Sequence, residues 1–533
     1  MKPEKKFYLR EDVYFEPLFN KWYAWPYLLP PAQSARHMVN THKRIMKSFV
    51  NDYQLHIMAA NEPGLAGGEF LNCDANQVDE IKRQIKFIDT ECTNIIAFSE
   101  ALADLDDLLR EHVSGESLEP LYEQVPDCLK GYVELTMDLN HNPGYRLIEP
   151  MLYKSQYFKT DLQSVSFGLL NRVEDRPFVL STPRLADDNH LQVEIDFNHP
   201  LIDQISSTRK QPLSEDDIHS MFKDVSRKGG IDYLELFTNS PPSKSHQPVV
   251  QGVRMSYLGH AGFLFEASNI SILVDPVITS RGNEFADEVI SFSEMPETID
   301  YVLLTHNHQD HVNFETLLQL RHKIKTVIVP PNNGGTLADP SLKLLLSQFG
   351  FNTISLDELE EVEFLSGRIT SLPFLGEHGD LNIRSKCAWL VELLGYKIFV
   401  GADSSNLEPR MYQLLAELYG PIDILAIGME CIGAPYTWLY GALHTKIVSK
   451  KIKESRRLNG SNFTQANMMV EVFKPRQVYL YALGQEPWYK YFMGIDYDDD
   501  SEQIKQSNQM VSACEDRNIY IKRLYGKETV ELG

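Results

Sequence analysis

One stretch of seven residues constrains this chain more than any other: Thr305-His306-Asn307-His308-Gln309-Asp310-His311. It follows Tyr301-Val302-Leu303-Leu304, an apolar run with the length of a buried strand. The motif therefore falls on the loop where that strand ends, and Asn313 is placed to cap a helix over Phe314–Lys323. Imidazole nitrogen and carboxylate oxygen are the donors that borderline and hard divalent metals take. In an extended segment His306 and His308 point the same way, because side chains alternate with period two. Asp310 and His311 come after the bend and are expected to face a second metal. A polar loop with scattered histidines is the duller reading, and the spacing speaks against it.

A chain of 533 residues has room for two or more domains. Its net charge of −23 disfavours nucleic acid as a partner, since such binding rests on neutralising phosphates. No apolar run is long enough for a membrane span. Met1-Lys2-Pro3-Glu4-Lys5-Lys6 carries charge with no apolar stretch behind it, unlike a signal peptide. Six cysteines without a CxxC pair suggest reduced thiols in the cytoplasm.

The first half offers little chemistry. Tyr23–Pro31 is aromatic and proline-rich, hence extended. Ser34–Ala59 and Gln77–Glu111 have helical spacing, whereas Ser164–Leu170, Phe178–Leu180 and Leu191–Ile195 look like strands. This is an α+β region. Among its histidines, those at 37, 42, 56, 112, 141, 190 and 199 lack ligand spacing and are taken as structural or surface residues. The polar, proline-rich stretch from Asn239 to Pro248 has linker composition. The expected division is 1–238, a linker at 239–249, and a catalytic domain at 250–533.

Beyond the linker, strands are expected at Val253–Leu258, Phe263–Glu266, Ile270–Val274, Thr326–Val329, Ile369–Phe374, Ala388–Leu394, Ile398–Val400, Ile422–Ile427 and Val478–Tyr481. Helical patterns fall between them at Glu408–Leu418, Lys446–Arg457 and Thr464–Phe473, which suggests a sheet core with helices outside. Polar residues gather where strands should end: Glu377 and His378, Asp403, Glu430, and then His444 after a Gly-Ala turn. Loops at strand ends can converge on a ligand while the sheet stays rigid.

The His-x-His-x-Asp-His loop followed by Glu377/His378, Asp403 and His444 resembles the metallo-β-lactamase fold, an αββα sandwich with a two-metal site, over about Val253 to Leu483. The resemblance implies one metal on His306 and His308, another on Asp310, His311 and His444, and Asp403 bridging both. Hydrolases of this fold place a histidine where this chain has Glu377 and His378. Ligation by His378 would give five imidazoles and two carboxylates, as in a dizinc hydrolase of thioesters, amides or phosphodiesters. Ligation by Glu377 would give four imidazoles and three carboxylates, a harder set better suited to iron.

The whole chain, including the α+β half and Gly484-Gln485-Glu486-Pro487-Trp488, is similar to the diiron β-hydroxylases of chloramphenicol-type biosynthesis (the CmlA type). That resemblance favours Glu377. It implies a non-haem diiron monooxygenase that uses two iron ions, O2 and an external electron donor. The implied substrate is an amino acid held as a thioester on the carrier domain of a nonribosomal peptide synthetase, hydroxylated at its β-carbon. An N-terminal domain associated with dimerisation, hence a homodimer, is implied too.

Several residues invite a role and a plainer alternative. Glu430 is a candidate catalytic group beside the metals, or an exposed loop acid. His260 has a place near the metals as one reading and is taken as structural, and Trp389 is taken as core. Tyr436–Tyr440 is a candidate pocket wall. Lys446, Lys450, Lys453 and Arg457 recur at helical spacing, so one face could dock an acidic carrier domain, or simply be solvated. The acidic run Tyr497–Glu502 lacks the glycine and spacing of a calcium loop and is read as solvated.

Overall fold

A computed structural model of the chain describes residues 5–532 apart from 66, 173–175, 283, 495 and 496. The N-terminal Met1-Lys2-Pro3-Glu4 lies outside the described residues. The first region contains strand β1 (Val13–Phe19), helices α1 (Pro31–His37), α2 (Val78–Glu91) and α3 (Thr93–Glu111), then β2 (Gln163–Leu169) and β3 (His190–Val193). β1, β2 and β3 form the middle of a five-stranded antiparallel sheet, edged by Trp22–Tyr23 and Arg227–Gly229. The helical stretch after Pro31 is broken at Asp52, whose side chain accepts from the Leu55 amide and starts a new helix. Phe178–Leu180 is not a strand. Pro177 brings no amide hydrogen to a ladder, and Val179 N–H bonds singly to the Tyr491 carbonyl, 2.8 Å away. Between Thr238 and Val253 the chain has neither helix nor strand.

The second region is built on two seven-stranded sheets. The first holds β4 (Val253–Gly259), β5 (Gly262–Ala267), β6 (Ile270–Val274), β7 (Ile299–Leu303) and, after helix α4 (Phe314–Leu320), β8 (Ile324–Val329). The second holds β9 (Gly367–Leu372), β10 (Ala388–Leu393), β11 (Tyr396–Val400), then α5 (Pro409–Tyr419), β12 (Ile424–Gly428), and, after helices α6 (Lys450–Ser455) and α7 (Phe463–Phe473), β13 (Gln477–Tyr481). Helix α8 (Glu502–Glu515) precedes the edge strands Tyr520–Arg523 and Glu528–Leu532, one for each sheet.

Alternation explains the layering. In β11, Ile398 and Val400 enter the core between the sheets, whereas Phe399 joins the cluster under α5, α7 and α8. In β6, Ile270, Ile272 and Val274 face the second sheet and Leu273 faces outward. That outward cluster runs without interruption into the first region, so the two regions share one continuous core.

Strand direction decides where chemistry can gather. β6, β7 and β8 run parallel, as do β11, β12 and β13. β4 and β9 each reach these sets through one antiparallel partner and so point the same way. The segments leaving β4, β6, β7, β9, β11 and β12 therefore all emerge at one edge of the sandwich.

Candidate dimetal site

The site begins with Asp275, the first residue after β6. Its Oδ1 accepts from the Thr305 amide at 2.8 Å, and its Oδ2 lies 2.7 Å from His311 Nδ1. Asp275 thus ties the end of β6 to the motif loop and turns His311 Nε2 away from itself. The loop is pinned on the other side by the Cys387 amide, which donates to the Thr305 carbonyl. Beyond the motif Asn313 caps α4, accepting from the Thr316 amide at 2.8 Å.

Metal-capable atoms converge in three overlapping groups: His306, His308 and Glu377; His306, His311 and Asp403; and His260, Asp310 and His311. His308 Nδ1 lies 3.0 Å from Glu377 Oε1 and 3.1 Å from His306 Nε2. His311 Nε2 lies 3.0 Å from Asp403 Oδ2, and His260 Nε2 lies 3.0 Å from Asp310 Oδ2. All of these side chains are buried.

Backbone geometry helps present them. Glu377 and His260 have left-handed conformations (φ 68° and 46°), as has Ala402 (φ 46°) just before Asp403. Such strain persists only where surrounding structure over-determines it. Gly428, at the end of β12, is needed for close approach: a Cβ there would sit 2.6 Å from Asp403 Oδ1.

Electrostatics matches a cation site. Burial pushes the Glu377 carboxyl well above its usual range, and Asp403 and Asp310 push it the same way. Burial, then His311 and His308, hold His306 well below the usual imidazole value, and burial lowers His308 to about 4, so both are neutral donors. Burial opposes charge on His311, but Asp403, Asp310 and Asp275 outweigh it and hold its value well up. Among the described residues Asp403 Oδ1 and His260 Nδ1 are buried without hydrogen-bond partners. Crowded carboxylates, neutral imidazoles and an orphaned carboxylate oxygen fit two positive ions, and the nitrogen and oxygen donor set suits iron.

Six of the seven expected ligands meet here: His306, His308, Asp310, His311, Glu377 and Asp403. His444 does not. Its carbonyl accepts from Arg36 of α1 at 2.8 Å, and its ring packs edge-on to Tyr436 at 5.5 Å, on the wall of a separate cavity. The tie to α1 carries residue 444 away from the cluster. His260, expected to be structural, occupies the Asp310 side instead.

Glu430 is half-buried. Burial, then Glu377, Asp403 and Asp310, raise its carboxyl well above normal, and its Oε1 accepts from Tyr497 at 3.0 Å. Tyr497 thus turns in toward the site while Asp498–Asp500 stay exposed. Trp389 is core, as expected.

The expected helix over Lys446–Arg457 shrinks to α6. Ser449 caps it through the Ile452 amide, so Lys446 lies outside it and pairs with Asp107 of α3 at 2.8 Å. Arg457 leaves the helix and donates to the Gly433 carbonyl. Lys446, Lys450, Lys453 and Arg457 therefore share no helical face; Lys450 and Lys453 remain on α6, where Lys450 is 3.5 Å from Glu454.

The segment from Thr437 to Lys446 forms one wall of a cavity of about 590 Å³, with Trp25, His37, Asn40 and Phe178 opposite. Tyr440 turns the other way: its hydroxyl lies 3.1 Å from His308 Nε2 and 2.8 Å from His378 Nδ1. The sequence reading passed over Asp275, for which a polar residue closing a buried strand was the available sign; it weighed His260 near the metals but favoured a structural role, and it placed Tyr440 only in a candidate pocket wall.

Comparison with known proteins agrees with this arrangement. Residues 8–241 match the model of the diiron non-haem β-hydroxylase N-terminal domain, and residues 271–446 match the β-lactamase superfamily domain. The chain is 35% identical over 539 residues to 4-amino-L-phenylalanyl-[CmlP-peptidyl-carrier-protein] 3-hydroxylase of Streptomyces venezuelae, covering 99% of this chain and 100% of that protein. It superposes on the crystal structure of CmlA, a diiron β-hydroxylase from Streptomyces venezuelae, with a TM-score of 0.91 and 34% identity, over 99% of this chain and 100% of that one. A metal-dependent hydrolase of Pyrococcus furiosus is 29% identical over 175 residues, 32% of this chain and 70% of that protein.

Proposed function

The chain belongs to the diiron non-haem β-hydroxylases, and from that premise we propose that it hydroxylates the β-carbon of an amino acid tethered as a thioester to a peptide-synthetase carrier domain. It is an enzyme of the monooxygenase class. The observation that carries the reading at the site is that Glu377, not His378, converges with His306 and His308. A third carboxylate favours iron and sets the dizinc hydrolase reading aside.

The residues proposed to hold two irons are His306, His308 and Glu377 on one side, His260, Asp310 and His311 on the other, with Asp403 between. When bound, the metal pair supplies the O2 chemistry: one oxygen atom enters the C–H bond and the other leaves as water, with two electrons from an external donor. The protein does the rest. Asp275 accepts from His311 Nδ1, which fixes the tautomer and frees Nε2 for the cluster. The three carboxylates offset the metal charge, and burial excludes bulk water. Glu430, held by Tyr497, is proposed to keep a proton beside the cluster.

Carrier docking is proposed on the exposed lysines of α6, Lys450 and Lys453, rather than on the wider set. A homodimer through region 1–238, with 239–249 as its link to 250–533, belongs to the proposal. So does a place in the cytoplasm, which six free cysteines suit, in antibiotic-type peptide synthesis. Among the described residues no helix is long and apolar enough to cross a membrane.

The test is to purify the protein from cells given iron and zinc together, measure metal per chain, and supply aminoacyl-loaded carrier, O2 and a reductant. About two irons per chain and a product heavier by one oxygen atom are expected. Two zincs and thioester cleavage would reverse the reading.

A further inference from the structure

We propose that Tyr440 is a positioning residue that selects Glu377 over His378 as a donor to the metal pair, and with that choice favours iron over zinc. This deepens the diiron reading and rests on it.

Glu377 and His378 are neighbours in sequence and both are buried at the cluster. The His378 ring centre is 4.7 Å from that of His308 and 5.7 Å from that of His306. It is thus near enough to compete, yet its nitrogens join none of the three groups. Among the described residues one hydrogen bond holds the ring back: its Nδ1 lies 2.8 Å from the Tyr440 hydroxyl, while its Nε2 is buried without a partner.

The protons around that hydroxyl can be counted. Tyr27 donates to the Tyr440 oxygen at 3.4 Å, and the two rings pack edge-on at 5.2 Å. With its Nδ1, which faces Glu377 and the cluster, on a metal, the His308 proton is on Nε2 and is donated to the Tyr440 oxygen at 3.1 Å. Two donors fill the acceptor capacity of the oxygen. The single Tyr440 proton is left for His378 Nδ1. One hydroxyl therefore orients a ligand and restrains a competing imidazole, while the left-handed backbone at residue 377 carries the carboxylate inward.

Replacing the hydroxyl keeps the ring packing and removes the one hydrogen bond that the His378 ring makes among the described residues. The donor set can then change from four imidazoles and three carboxylates to five and two, the softer set that zinc prefers. Wild type, Tyr440→Phe, Tyr27→Phe and the double variant Tyr440→Phe/His378→Ala are produced in medium with equal iron and zinc. Metal per chain and the visible spectrum are then measured. The iron-to-zinc ratio should fall roughly tenfold in Tyr440→Phe, fall less in Tyr27→Phe, and return toward wild type in the double variant. An unchanged ratio in both single variants, or a double variant that stays rich in zinc, overturns the role of Tyr440. Zinc in the wild type itself overturns the diiron reading and this proposal with it.

Discussion

Asp275 shows what one residue can decide. It binds no atom of the proposed ligand groups except through His311, yet its two oxygens fix both the start of the motif loop and the direction of His311. Partners of this kind typically govern metal affinity by about 10–100-fold. Asp275→Asn should therefore weaken metal binding by that factor in a competition titration with a chelator, with the loss larger than any fall in thermal stability. The pairing of Glu377 with His306 and His308 sits at the same scale. The sequence left two neighbours in contention, and the left-handed backbone at residue 377 resolves which one faces inward.

Elements set the precision with which such residues are held. Helix α4 starts three residues after the last residue of the motif, and its cap, Asn313, accepts from the Thr316 amide. Asn313→Ala should cost about 1 kcal/mol, read as a lower urea midpoint with an unchanged slope. Helix α6 makes the opposite point. Helical spacing from Lys446 to Arg457 suggested one long basic face, but the Ser449 cap starts the helix at Lys450. Periodicity records which residues would share a face if a helix formed. Tertiary bonds, here Lys446 to Asp107 and Arg457 to Gly433, decided how much of it does.

Across the whole molecule, a buried charge network clamps the first region to the catalytic one. Arg176 lies between Glu16 on β1, at 2.8 Å, and Glu315 on α4, at 2.9 Å, and Arg184 also binds Glu16. Tyr23 and Tyr491 donate to Glu315 as well. Removing one member leaves buried charge uncompensated, so Arg176→Met should cost about 3–5 kcal/mol in chemical denaturation. The network also sets an acid limit. Burial alone would raise the Glu16 carboxyl, but Arg184 and Arg176 hold it far below the usual range. A depressed carboxyl stabilises the fold above the unfolded value of about 4.3 and gives that stability up as pH falls below it. Far-ultraviolet circular dichroism against pH should show Arg176→Met unfolding at a higher pH than wild type.

The sequence by itself determined what is local and periodic. The apolar runs placed the inner strands of both sheets but not the edge strands Thr353–Ser355, Glu361–Phe364, Tyr520–Arg523 and Glu528–Leu532; the His-x-His-x-Asp-His spacing marked the loop between β7 and α4, and the polar residues after β9 and β11 supplied Glu377 and Asp403. These follow from alternation, capping and donor chemistry, which act within a few residues. Only the tertiary structure decided that His260 and not His444 lies beside Asp310. These residues stand on different elements, and donors from α1 and the helical turn after it hold the backbone at His444 aside, Arg36 donating to the His444 carbonyl and Asn40 to that of Ala442. Only the fold, too, brought Tyr440 against His308 and His378 across 132 and 62 residues of sequence. Contacts of that span depend on how whole layers pack, and no local pattern encodes them.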